Sequence, residues 1–476
     1  MTGSTPVRPA RVRTSAAPRR ARTSREGGFA KGVAAVSCSF LLGGVLAVTP
    51  AVAATPPAPG AMSAQEGDLI EVTLDQLRPT QPSLGYDQIF YKLGRYSSTK
   101  DEDRGKFNKR FDDWCETNGQ GEAASVDAGA MLANPSSFTC SIPAGQETED
   151  SLAQMKTVVV GPGGTLYLTD GHHSLTSFWE AADGGPKTRI RLRVTANLSG
   201  LSTEAFWQKM KDDNQVWLKD ENDRAITVDQ LPARLGLSRF HDDRYRSLVY
   251  FTRGIGYDQA AGSAEFLEFL WGSWLRDRDD LSQYDLTSFD SYLDAVRDTS
   301  RAMSDVPGDT VIAGGRTAEE MGRLAEWNNG KVETKGEFGD LSVPLSDAKP
   351  GKLAFALDYR SRVPKSPSCT RTITGKHTDA LLVTSGTTCL DNARLSGAVN
   401  VTSGANLVVR GSDITGAVLT SGAGTVEICG STVTGALSIT GTRDRVTLSG
   451  PGCTANTFTG PVLVTGTGTG SGTRKA

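Results

Sequence analysis

Beyond Cys369 the chain repeats itself at an interval of 19 residues. Ser396-Gly397-Ala398-Val399, Thr415-Gly416-Ala417-Val418 and Thr434-Gly435-Ala436-Leu437 are successive copies, and Thr459-Gly460-Pro461-Val462 is a degenerate fourth. Gly411-Ser412 and Gly430-Ser431 keep the same interval. A unit this short cannot bury an apolar face by itself, so it must stack on its neighbours. Short strands between glycine corners, with valines turned inward, predict an all-β parallel β-helix over 369–476. A β-sandwich of short hairpins is the alternative that the same turn spacing allows. Asp391, Asp413, Glu427 and Asp444 are scattered, so no carboxylate cluster marks a polysaccharide-lyase site. The region reads as a structural module or a binding surface.

The other end of the chain is different in kind. Residues 1–53 hold eight basic residues and one acid, Glu26, of the chain's 51 Lys+Arg and 54 Asp+Glu. The remainder therefore carries a net charge of −10, which argues against broad binding along a phosphate backbone. A basic start, an apolar run from Val33 to Val48 and Ala51-Val52-Ala53 read as a signal peptide cleaved after Ala53. A membrane anchor is the competing reading, but the run is short and interrupted by Gly43 and Gly44. No transmembrane segment is expected in the mature chain, which is expected to be secreted, extracellular or loosely surface-associated. Six cysteines remain beyond the signal and none has C-x-x-C spacing. They fall in sequence as three neighbouring couples, which predicts Cys115–Cys140, Cys369–Cys389 and Cys429–Cys453. Disulfides suit an exported protein.

Residues 54–67 are Pro/Ala-rich and read as a tether, 68–330 as the first folded domain with a helical extension, and 331–368 as a linker containing Pro344, Pro350, Pro364 and Pro367. In the first domain Ile70 to Leu74 alternates as a strand, and Gly85 to Tyr96 reads as a helix with Ile89, Phe90 and Leu93 inward. The charged run Lys100 to Arg110 reads as a solvated face. Its most informative stretch is Thr157 to Ala181. Val158 to Val160 and Leu166 to Leu168 are strands around a Gly-Pro-Gly-Gly turn. Asp170-Gly171 then breaks the chain, and Leu175, Phe178 and Trp179 take helical spacing. Two of the chain's four histidines, His172 and His173, stand where strand gives way to helix.

Val72-Thr73-Leu74-Asp75-Gln76-Leu77-Arg78-Pro79-Thr80-Gln81, followed by the stretch just described, resembles the paired boxes of the ParB/sulfiredoxin fold. The closer similarity is to the ParB-like nuclease family. Lys92, Asp170 to His173, Phe206 to Met210, Asp243 to Leu248 and Glu265 to Leu275 stand in the family's order. The likeness covers about 68–307 and implies an α/β or α+β ParB/sulfiredoxin-like domain. The 369–476 repeats are in turn similar to right-handed parallel β-helices of exported actinobacterial proteins. The nuclease resemblance implies a nucleotide or other phosphate-bearing ligand at the corner. Arg78, Thr80, Gln81, Lys92, Gly171 and Ser174 would bind it, with Arg95 a further source of positive charge. His172 stands where sulfiredoxin carries its cysteine, which excludes that chemistry, and Ser174 stands where a phosphate-clamping arginine would be.

Free amides at a glycine-opened helix start favour an anion. Asp170, His172 and His173 are the candidate catalytic residues, since imidazoles near neutral pH act as general acid and base. The opposing reading makes one histidine a helix cap and packs the other under the strand. No metal site is assigned and the cofactor is unknown. Two function classes stay open: an exported ParB-like nuclease or phosphodiesterase, and a non-enzymatic surface or matrix protein. In the second, the first domain binds an anionic ligand and the β-helix is structural or adhesive, meeting a cell-surface partner.

Overall fold

The computed structural model describes residues 60–259 and 265–466. The expected signal peptide, its expected cleavage after Ala53 and the first part of the expected tether lie outside the described residues. Among the described residues no helix is long and apolar enough to cross a membrane. Residues 60–67 are held by the domain that follows them. Ala61 and Ala64 are buried, and Asn197 Nδ2 donates to the Ala64 carbonyl at 2.6 Å.

The first domain is mixed α/β, built on a five-stranded sheet. Its order is Leu69–Thr73, Arg189–Asn197, Thr157–Val160, Leu166–Leu168, Leu77–Pro79. The outer pairing of Leu69–Thr73 with Arg189–Asn197 is antiparallel, and Leu77–Pro79 runs parallel to Leu166–Leu168. Alternation in Arg189–Asn197 does what period 2 requires: Ile190, Leu192 and Val194 face the core and are no more than 1% exposed. Its basic face is neutralised by neighbours, Arg189 by Glu71 and Arg191 by Glu147. The helices Tyr86–Tyr96, Lys109–Thr117 and His172–Glu180 pack beside this sheet. Their apolar faces share one core with it. Phe206 and Trp271, in the aromatic-rich helices Thr203–Asp212 and Leu267–Arg276, are wholly buried and act as core.

Two segments differ from the sequence reading. The charged run 100–110 is more than a solvated face. Asp101 is buried and accepts from Arg95 Nε and Nη2, both at 2.9 Å, and from Arg104. The stretch 331–368, expected to be a linker, contains the helices Gly336–Leu341 and Lys352–Arg362. The second lies directly on Tyr86–Tyr96. A Cβ at Gly94 would stand 2.4 Å from the Phe355 carbonyl oxygen, so only glycine allows this approach. Arg360 pairs there with the buried Asp87. The prolines fall outside both helices, which is why composition suggested a linker while Leu353, Ala354, Phe355 and Ala356 supply a buried face.

All three disulfides pair as expected, closing separations of 25, 20 and 24 residues. The C-terminal region is made of parallel-strand sheets. One runs Leu381–Val383, Val399–Val401, Val418–Ser421, Leu437–Thr440, Val462–Thr465, every neighbouring pair parallel. Hairpins give antiparallel pairs, so the hairpin-sandwich alternative is excluded. Val399 pairs with Val418 and Val418 with Leu437, so the 19-residue repeat interval is the strand register there, while the degenerate last copy pairs Leu437 with Val462 across a longer interval. The glycines explain the conserved spacing within the repeat. A Cβ at Gly416 would lie 2.3 Å from the Gly397 carbonyl oxygen, and one at Gly435 would lie 2.4 Å from that of Gly416. Each corner rests backbone on backbone. Residues such as Val399, Val418, Leu407, Val426 and Val433 fill the interior.

The C-terminal sheets and the first domain meet through polar contacts around residues 234–239. Arg239 donates to the Gly411 carbonyl and faces Asp413 at 3.3 Å. Glu180 accepts from Leu237 N and Thr454 Oγ1, each at 2.7 Å. The boundary seen as a change in composition is thus bridged away from the covalent connection.

Candidate functional site

The corner forms where the strand Leu166–Leu168 ends and the helix His172–Glu180 starts. Gly171 makes the turn at φ 97°, a left-handed conformation that side chains resist. Asp170 reaches over the helix start. Its Oδ1 accepts from Gly171 N at 2.6 Å, and its Oδ2 pairs with Lys156 Nζ at 3.0 Å. The chain therefore places a carboxylate of its own at the positive end of this helix, where the sequence reading expected a ligand anion. A phosphate arriving there would meet Asp170, and Glu265, whose carboxyl burial and the Asp170 charge both push up. Ser174 is half-buried.

His172 and His173 face away from solvent. They are 3% and 8% exposed. His172 Nε2 accepts from Thr80 N at 3.1 Å, and His173 Nε2 accepts from Gly85 N at 3.0 Å. Successive helical residues point about 100° apart, and the loop from Thr80 to Gly85 wraps around so that each ring meets a different amide. Two backbone donors that would otherwise be buried unpaired are satisfied this way. An acceptor Nε2 puts the proton on Nδ1 and requires a neutral ring. Burial pushes the His172 imidazole down to about 3, against a weaker upward pull from Asp170. His173 is also held well below its ordinary value, by burial first and then by the Arg246 and His172 charges. These rings are latches on the loop, and neither is poised to exchange protons near neutral pH. In this geometry both candidate catalytic rings are engaged as acceptors for the loop amides.

The ligand-binding candidates are also drawn into internal contacts. Thr80 is fully buried, with Oγ1 donating to the Leu168 carbonyl at 2.8 Å. Gln81 is buried and donates to the Ser83 carbonyl at 2.8 Å. Arg78 donates to the Ala233 carbonyl. Lys92 sits in a different cluster, 2.6 Å from Asp113, which also accepts from Tyr96 OH. Burial opposes ionisation of Asp113, but Lys92 and Lys109 outweigh it and hold its carboxyl far below the usual range. The corner thus gathers Asp170, Gly171, His172, His173, Thr80 and, unforeseen, Lys156. Lys92 is paired with Asp113, though its charge still reaches His173. Lys156 was invisible as a partner because its pairing depends on how the turn closes. Among the described residues no group of three or more His, Cys, Asp or Glu side chains is placed to hold a metal ion.

A search of curated proteins found no match. Among solved structures, protein Atu1540 from Agrobacterium tumefaciens is similar at 21% identity, over 50% of this chain and 93% of that one, with a TM-score of 0.32. That likeness is too slight to carry an argument. The family model described as "Putative ParB-like nuclease" matches residues 70–277, a span that takes in the five-stranded sheet, the latched loop and the histidine corner. The chain carries a ParB-like nuclease family domain at residues 70–277.

Proposed function

We propose that this is an exported binding protein whose ParB-like domain holds a nucleotide or another phosphate-bearing ligand, without hydrolysis driven by the histidine corner. The carrying observation is that His172 and His173 are buried and accept the Thr80 and Gly85 amides. A general base must be able to take up a proton from a reactant within reach, and these rings serve the loop instead. Export is supported by the disulfides, which suit an oxidising compartment, and by the signal-like 1–53 segment. The C-terminal parallel sheets are read as a β-helix of structural or adhesive type. The parallel in-register strands and the glycine column support that reading. The boundaries proposed are 68–330 and 369–476, with the helices of 331–368 packed onto the first domain.

The family description favours a second reading, a nuclease or phosphodiesterase. Oligonucleotides and nucleoside phosphates offered to the purified chain separate the two, with binding read by calorimetry and products by chromatography. Saturable binding without turnover is expected. Hydrolysis that disappears in a folded His172→Gln variant would establish the second reading and overturn the first.

A further inference from the structure

The acidic corner leaves open where a phosphate-bearing ligand would sit, and a cleft on another side of the helix Tyr86–Tyr96 answers this. It encloses about 460 Å³, within the roughly 300–1,000 Å³ usual for small-ligand sites. One wall is Tyr91 and Arg95. The second is Tyr250 and Arg253, at the end of the helix Arg244–Thr252. The third comes from residues 337–355, beyond the family match. The fold of the supposed linker is therefore what closes the cleft.

Its chemistry divides into a floor and a rim. Tyr91 lies 6.2 Å from Tyr250 at an interplanar angle of 30°, and 6.5 Å from Phe355. Tyr91 and Phe355 are buried, and the half-buried Tyr250 is the ring a flat ligand can pack against. The Arg253 guanidinium, itself paired with the buried Glu268, and Lys352 Nζ lie 5.6 and 5.9 Å from the Tyr250 centroid, so of the two only Lys352 offers the ring a loosely held charge. Arg95 is fixed by Asp101 and turns Nη1 to Tyr91 OH at 3.2 Å, which orients that ring. Lys349 is exposed, and Lys352 is only loosely paired, 3.6 Å from Glu337. An exposed pair of this kind is weak and exchanges partners at little cost. Glu337 and Asp340 on the same rim can accept from amino or hydroxyl groups.

We propose that this cleft binds a nucleoside monophosphate, its base against Tyr250 and its phosphate on Lys349 and Lys352. The inference rests on the reading that the ParB-like domain binds a phosphate-bearing ligand and gives that ligand a place and a shape. The test is calorimetry on the full secreted chain with adenosine and uridine monophosphates, adenosine, inorganic phosphate and 4-hydroxybenzoate. The monophosphates should bind best. The double variant Lys349→Glu/Lys352→Glu should weaken them about tenfold or more with an unchanged melting temperature, as both side chains lie on the rim. Tyr250→Leu should weaken the monophosphates and leave inorganic phosphate unaffected. Lys156→Glu, at the corner, should change nothing. Monophosphate binding that ignores the rim variant and is lost in Lys156→Glu overturns the cleft assignment and leaves the proposed function standing. Preference for the carboxylate overturns the ligand class. No binding by any phosphate probe overturns both.

Discussion

Acid should loosen the histidine latch, and replacing His172 by glutamine should remove part of that sensitivity. The folded ring has a value near 3 against 6.5 for an ordinary histidine. A depressed value means that the folded protein refuses a proton that the unfolded chain accepts. The stability tied to the neutral ring is therefore complete above 6.5 and drains away as pH falls toward 3. Between about pH 7.5 and about pH 4.5 the loss is about 2.5 kcal/mol for this one ring, at about 1.4 kcal/mol per pH unit. His173 acts in the same direction. Glutamine keeps a carbonyl oxygen that can accept the Thr80 amide but does not titrate in this range. Urea unfolding of the parent and His172→Gln across this pH range isolates the term, because the carboxylates common to both proteins cancel in the difference. The parent should lose about 2–3 kcal/mol more than the variant. Parallel stability curves would refute the reasoning, since they would mean that the ring titrates alike folded and unfolded.

Three other outcomes follow from the packing. Lys92→Ala should cost about 2–3 kcal/mol in unfolding free energy, because Asp113 would keep only Lys109, at 2.9 Å, as a charged partner, and nucleoside monophosphate affinity should not change. Gly94→Ala should cost about 1–3 kcal/mol, since the new Cβ meets the Phe355 carbonyl; limited proteolysis should then cut within 331–368, and an uncut variant would contradict the packing. Intact-mass analysis of secreted protein should find a mature start at or near Ala54 and no free thiol, with Cys115→Ser/Cys140→Ser losing about 3 kcal/mol.

What the sequence revealed depended on how local the cause was. The 19-residue interval became strand register because glycine at each corner is a local steric demand that every repeat must meet. The strand–corner–helix unit was legible from β-branched runs, a glycine and an apolar stripe. Lys92 was misplaced because its partner, Asp113, lies on another helix, and nothing in the spacing announces that pairing. The paired histidines raised the right chemical question. The answer lay in the Thr80 to Gly85 loop, whose amides come to them from about ninety residues earlier in the chain. The helix Lys352–Arg362 was hidden among prolines that all fall outside it. With it the Tyr91 cleft was hidden too, since most of its lining comes from residues 337–355.

Nitrogen-15 spectra of the histidine side chains, recorded as pH is lowered, test the central claim most directly. The chain has four histidines. The account predicts that His172 remains neutral with the proton on Nδ1 down to about pH 4.5, and that His173 likewise stays neutral below the ordinary histidine range, while the parent stays folded. If both rings instead titrate near 6.5 and exchange protons freely with solvent, the latch is wrong and the corner is again open to acid–base chemistry.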